Sequence, residues 1–263
     1  MNLEGKQALV TGAGRGIGKG CAVELARCGA HVVINDRPGS PDVAATAAEI
    51  RSLGRQCTVI EADAFSRKGC ETLVTAALEA AGRIDILVSN PARGRRDDFL
   101  DYDPDDFERT VNGTLTSGFH MSQLLARHMV ERGGGGKIIF ISSVQSLMPK
   151  ARSVAYNAAK AGLNHMMRSI ATELTPYRIN VNAIAPGWID TPGERETFSA
   201  DRIVQEGRKL PWGRIGTPAD IGKAAAFLAS DAADYITGVV LPVDGAYLLK
   251  DCVSKTAIPP EES

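Results

Sequence analysis

Residues 7–20, QALVTGAGRGIGKG, read as a short apolar strand that turns through glycines into a helix. Thr11 to Gly18 (TGAGRGIG) make the turn. Glycines there let a backbone approach a pyrophosphate, and the helix start supplies unpaired N–H groups and the positive end of its dipole. A Gly-rich turn alone also serves bends that bind nothing. Here the second apolar run, HVVIN, closes on Asp36, 18 positions beyond Gly18, where a ribose 2′-hydroxyl is held in dinucleotide-binding folds. Gly12, Arg15, Gly16, Ile17 and Gly18 are therefore candidate cofactor contacts. The Asp36 carboxylate favours NAD, since it accepts the hydroxyl and repels a 2′-phosphate. Arg15 and Arg37 keep NADP open, because either guanidinium can pair with that phosphate; two exposed arginines at a loop rim are the plainer reading.

Outward from this turn, apolar runs alternate with amphipathic stretches. QALVT, HVVIN, QCTVI, DILVS, KIIFIS, INVNAI and GVVLPV read as seven strands, several apolar throughout, as in a sheet buried on both faces. Helical patterns fall near 16–29, 42–54, 67–81, 104–131, 153–175 and 217–230. The alternation predicts right-handed crossovers and an α/β fold: a doubly wound, seven-stranded parallel sheet of Rossmann type in a single domain over residues 1–250. Gly133–Gly136 read as a turn ending a helix. Residues 189–212 break the rhythm and read as an inserted lid with one short helix. Residues 251–263 are polar and read as a loose tail.

With 44% hydrophobic residues over 263 positions, the chain can bury a substantial core. Thirty basic against 31 acidic residues leave a net charge of −1, which points away from nucleic acid and anionic membranes. The start, MNLEGKQALV, lacks the pattern of a signal peptide, and no apolar run has membrane-spanning length. Cys21, Cys28, Cys57, Cys70 and Cys252 show no metal-ligand spacing, and an odd number suits packing better than disulfides. The four histidines form no ligand-like group, so no metal is expected. These features describe a soluble cytoplasmic protein.

Tyr156 and Lys160, in YNAAK, lie four apart and so share one helix face. An ammonium beside a phenol lowers a pKa otherwise too high for acid–base work at neutral pH. An exposed i,i+4 pair on a helix would be the ordinary explanation for two such residues. Ser143 stands thirteen residues before the tyrosine, where a hydroxyl can hold a substrate oxygen.

Taken in order, TGAGRGIG, Asp36, Asp63, VNGT, the Ser–Tyr–xxx–Lys set and PGWIDT (Pro186 to Thr191) resemble the short-chain dehydrogenase/reductase family over residues 5–248. That resemblance implies an NAD(P)-dependent oxidoreductase interconverting a secondary alcohol and a carbonyl. It implies a catalytic tetrad of Asn112, Ser143, Tyr156 and Lys160. Tyr156 would be general base or acid, Lys160 would lower its pKa and hold the nicotinamide ribose, and Asn112 would kink its helix and anchor a relay water. Asp63 and Ala64 would meet the adenine, with Asn90, Pro186, Gly187, Ile189 and Thr191 as further cofactor contacts. It also implies a homotetramer built through the Tyr156 helix and the VDGAYLL end. One segment departs from the pattern: after the fourth strand the chain has SNPA, and Pro91 removes a donor and holds Asn90 extended.

The resemblance implies a small-molecule alcohol or carbonyl substrate, and the chain most resembles the glucose 1-dehydrogenase-like sugar oxidisers. A sugar, polyol or acidic sugar derivative is the first expectation. A 3-oxoacyl thioester reductase is the alternative, followed by a non-catalytic dinucleotide-binding regulator. Arg95, Ser143, Gln145 and Trp188 are candidate substrate contacts. Arg93, Arg95 and Arg96 suit an oxyanion, though a solvated loop neutralised by Asp97, Asp98 and Asp101 explains them as well.

Overall fold

A computed structural model describes residues 1–252; the expected tail lies, from residue 253 on, outside the described residues. The strands are β1 (Gln7–Val10), β2 (His31–Asp36), β3 (Cys57–Glu61), β4 (Ile86–Ser89), β5 (Gly136–Ile141), β6 (Ile179–Pro186) and β7 (Val240–Val243). All pair in parallel, in the order β3-β2-β1-β4-β5-β6-β7. Each corresponds to one of the seven apolar runs, so the doubly wound seven-stranded sheet holds.

The helices are α1 (Gly16–Arg27), α2 (Val43–Ser52), α3 (Arg67–Ala81), α4 (Pro104–Val111), α5 (Ser117–Arg132), α6 (Val154–Leu174), α7 (Pro192–Thr197), α8 (Ala200–Gly207) and α9 (Pro218–Ala229). Strand alternation sends successive side chains to opposite faces. Ala8, Val10, Ile139 and Ile141 pack with α1, α2 and α9, while Leu9, Ile138 and Phe140 pack with α3, α5 and α6. Burying a Leu, Ile or Phe side chain in full contributes about 1.5–3 kcal/mol, so two such layers hold the sheet between them. The α1–α9 crossing needs small residues: a Cβ at Gly20 would run into the Pro218 carbonyl, and one at Gly222 into that of Gly20.

After β3 the chain crosses to the other side of β1 and lays down β4, which opens a crevice beyond the strand ends. Its floor is knit by polar side chains. The Asn90 N–H donates to Thr11 Oγ1 at 3.1 Å, and Asn90 Nδ2 donates to the Gly12 carbonyl at 3.1 Å.

Two elements differ from expectation. The helix predicted over 104–131 is broken: α4 stops at Val111, a π-helical turn spans Asn112–Thr116, and α5 begins at Ser117. The Ser117 hydroxyl donates to the Gly113 carbonyl at 2.9 Å within that turn. The predicted lid holds two short helices rather than one, because it contains two N-caps: Thr191 accepts from the Glu194 N–H and Ser199 from the Arg202 N–H. Both ends of the segment are pinned, with Gly216 donating to the Trp188 carbonyl at 2.9 Å and Asp190 to the Gly216 carbonyl at 2.8 Å. Gly133, Gly134 and Gly135 all have positive φ, which is why glycine terminates α5 there.

Candidate active site

The crevice divides into two clefts that meet at Asn90 and Ala92. One, of about 380 Å³, is lined by Gly12, Arg15, Asp36, Arg37, Asp63 and Ala64. These are residues that the sequence offers for the adenosine half of a dinucleotide. The turn is shaped for close approach: Gly12 has φ +60°, and a Cβ at Gly18 would strike the Gly12 carbonyl and Asn90 Nδ2. Helix α1 has no side-chain N-cap and no acidic residue in its first turn, so its leading N–H groups remain for phosphate oxygens. Asp36 is oriented by its neighbours, accepting from Gly14 N–H at 3.1 Å, Arg37 N–H at 2.8 Å and the Ser40 hydroxyl at 2.9 Å. Arg15 points to α7 instead, donating to Glu196 at 2.9 Å with Asp42 3.9 Å away. The residues present fit a nicotinamide dinucleotide.

The other cleft, of about 600 Å³, brings together Ile17, Asn90, Ser143, Gln145, Tyr156, Lys160, Pro186, Gly187, Trp188, Ile189 and Thr191. Ser143 lies two residues beyond β5 and caps a short 3₁₀ turn, its Oγ accepting from the Gln145 N–H at 3.1 Å. The turn is braced from behind: Ser146 Oγ accepts from Asn164 Nδ2 at 2.7 Å and itself donates to the Ser143 carbonyl at 2.5 Å. Tyr156 and Lys160 rise one turn apart on α6. Lys160 is 1% exposed, donates to the Ile141 carbonyl at 2.6 Å, and stands 5.6 Å from the Tyr156 ring centre. Burial pushes the Lys160 ammonium down to about 7. Burial raises the Tyr156 phenol, and the Ser143 hydroxyl opposes that rise. The Ser143 and Tyr156 hydroxyl groups beside a buried lysine are suited to moving one proton.

A family model described as enoyl-(acyl carrier protein) reductase matches residues 12–247. The 2-dehydro-3-deoxy-D-gluconate 5-dehydrogenase of Escherichia coli K12 is 37% identical over 252 residues, covering 95% of this chain and 98% of that protein. The L-rhamnose 1-dehydrogenase (NAD(P)(+)) of Azotobacter vinelandii is 40% identical over 249 residues, covering 93% and 97%. The crystal structure of a short-chain type dehydrogenase/reductase from Mycobacterium marinum superposes with a TM-score of 0.88 at 33% identity, over 94% of this chain and 96% of that one. The chain belongs to the short-chain dehydrogenase/reductase family. It is an NAD(P)-dependent oxidoreductase acting on CH–OH groups.

Two residues singled out in the sequence do not join this dehydrogenase's cleft. Asn112 is exposed at the start of the π turn, its amide oxygen accepting from Thr116 Oγ1 at 3.4 Å. The extra residue of the π turn moves it off the inner face and turns Thr114 inward. Thr114 is 1% exposed, and its hydroxyl accepts from the Arg93 N–H at 3.2 Å and donates to the Arg93 carbonyl at 3.1 Å. Arg95 is held outside by Asp106 at 2.6 Å and Asp97 at 3.2 Å. Arg96, the next residue, lines the cleft. The missed signal was Asp106, a carboxylate 6% exposed that collects Arg93, Arg95 and Arg109.

Proposed function

We propose that this dehydrogenase oxidises a secondary alcohol on a polyhydroxylated substrate, a sugar or sugar derivative, with NAD preferred over NADP. The observation that carries the substrate class is Gln145. It lines the same cleft as Ser143 and Tyr156, and its amide oxygen is shielded from solvent without a donor among the described residues. A buried acceptor left unpaired costs about 1–3 kcal/mol, and a substrate hydroxyl supplies the missing donor. A 3-oxoacyl thioester carries no such hydroxyl beside its ketone, and a non-catalytic regulator has no use for the proton-handling cluster.

In this reading Ser143, Tyr156 and Lys160 are the catalytic residues. Ser143 Oγ orients the reacting oxygen, and Tyr156 Oη takes the proton that the alcohol gives up. A protonated Lys160 in the same buried space favours the phenolate by opposite charge. NAD(P), when bound, supplies the acceptor for the hydride leaving the carbinol carbon. Gly12, Gly16 and Gly18 with the start of α1 hold its pyrophosphate, Asp36 its adenosine ribose, and Asp63 and Ala64 its adenine. Ile17, Asn90, Pro186, Gly187, Ile189 and Thr191 flank its nicotinamide end. Asp36 supports the NAD preference, as does the diversion of Arg15 to Glu196.

Residues 189–212 act as the lid. The unpaired cysteines, three of them buried with thiols raised to about 11 or 12 by burial, fit a reducing cytoplasm. We also propose a homotetramer, supported by the exposed Phe107 and Phe119 along the α4–α5 side; four chain masses in light scattering are expected. The test of function is formation of reduced nicotinamide from NAD and from NADP across aldoses, polyols and sugar acids. Turnover with a sugar or sugar acid supports the reading. Silence there, with acetoacetyl-thioester-dependent oxidation of NADPH, would replace it.

A further inference from the structure

The charge of the substrate cleft is unlike that of the chain. Besides Lys160, four cations line it (Arg96, Lys150, Arg202 and Lys250) against two carboxylates, Glu194 and Glu206, in a protein of net charge −1. Two of the four are committed nearby. The Arg202 guanidinium lies 5.0 Å over the Phe198 ring and Lys250 Nζ 5.2 Å over the Tyr247 ring. The other two are unspent. Arg96 donates no hydrogen bond among the described residues, and its one ionic neighbour, Glu194, stands 3.7 Å away, beyond hydrogen-bond reach. Lys150 forms no ion pair among the described residues. Burial and then Arg96 push its ammonium down, with Glu194 opposing.

We propose that Arg96 and Lys150 form a carboxylate-binding pole of the cleft, so that the substrate is an acidic sugar derivative. The proposal rests on the sugar-dehydrogenase reading and narrows it. The fold sorts the arginines for this purpose: Asp106 draws Arg93 and Arg95 to the outside, and Arg96 alone of the three turns inward. Asn157, on α6 beside Tyr156, fixes the other partner by donating to the Lys150 carbonyl at 2.9 Å. Glu194 shows that a carboxylate is accommodated at this place. Its Oε2 accepts from Trp188 Nε1 at 2.9 Å while Oε1 faces Arg96. A guanidinium fork and an ammonium are the donors suited to a second carboxylate. The reacting CH–OH then lies at Ser143 and Tyr156, and an intervening hydroxyl reaches Gln145.

The test compares hexonates and hexuronates with their neutral amides, which keep every hydroxyl and lose only the charge. Wild type, Arg96→Gln, Lys150→Gln and Arg95→Gln are assayed with NAD. The wild type is expected to prefer an acid over its amide by on the order of 100-fold in kcat/KM. Arg96→Gln is expected to erase most of that preference through KM, with kcat nearly unchanged, and Lys150→Gln to erase part of it. Arg95→Gln keeps the preference. Equal use of acid and amide, turnover of neutral sugars alone, or equal losses for both substrates in Arg96→Gln would overturn the proposal and leave the sugar reading standing. Silence of the wild type on acids, amides and neutral sugars alike would remove the sugar reading itself.

Discussion

Thr114 Oγ1 is the hinge on which the loop after β4 hangs. It binds the N–H and the carbonyl of Arg93 together. The next residue, Gly94, lies against the Tyr156 ring, where a Cβ would come within 3.2 Å of Cδ2. Arg96 follows into the cleft. Thr114→Val keeps the volume but removes two part-buried hydrogen bonds to the Arg93 backbone, at a cost of about 0.5–1.5 kcal/mol each. A drop of roughly tenfold in kcat/KM and a lower Tm are expected, whereas Asn112→Ala, at an exposed position, changes stability by less than about 0.5 kcal/mol and leaves kcat/KM near wild type. The opposite order of effects in steady-state kinetics would restore Asn112 to the site. Ser143, Tyr156 and Lys160 were legible in the sequence because their spacing sits on a strand end and a regular helix. The kink expected at Asn112 is present as a π turn, but the letters VNGTLT do not show that the extra residue of that turn leaves the Asn112 side chain exposed.

At the scale of elements, the lid is tied to the Gly-rich turn by one exposed ion pair, Arg15 with Glu196 on α7, 2.9 Å apart. Such a pair contributes at most about 1 kcal/mol to stability, yet it occupies one of the two guanidiniums, with Arg37, that line the cleft around Asp36 and suit a 2′-phosphate. Glu196→Gln is expected to raise kcat/KM for NADP several-fold, with that for NAD little changed. A comparison of the two cofactors at one substrate concentration reads this directly, and an unaltered ratio would show that Arg15 has no part in cofactor choice. The same element marks a limit of the sequence. The break at residue 189 was visible from its prolines and glycines, but the two N-caps, Thr191 and Ser199, were read as one irregular stretch. Arg93, Arg95 and Arg96 were visible too, and their sorting was not, because it depends on Asp106 becoming buried.

Over the whole molecule, the alternation of strands and helices follows from patterning, while the strand order is seen only in the structure. Apolar runs such as KIIFIS must be covered on both faces, so helices alternate with strands, and right-handed crossovers then put the glycine turn and Ser143 at the same end of the sheet. A third cleft, of about 570 Å³, lies at the opposite end, lined by Lys6, Asp85, Lys137 and Asp234, away from the end where a doubly wound sheet binds its ligands. Function therefore concentrates in one crevice, and Tyr156 is its pivot. Tyr156→Phe removes a single oxygen from a half-buried ring. Binding of NAD, followed by nicotinamide fluorescence or calorimetry, is expected to survive within about threefold. Turnover of the best sugar acid is expected to fall by 10²–10⁴, roughly the worth of a general base. Retained turnover in that variant, with cofactor binding intact, would contradict the assignment of the proton step to Tyr156 and with it the proposed mechanism.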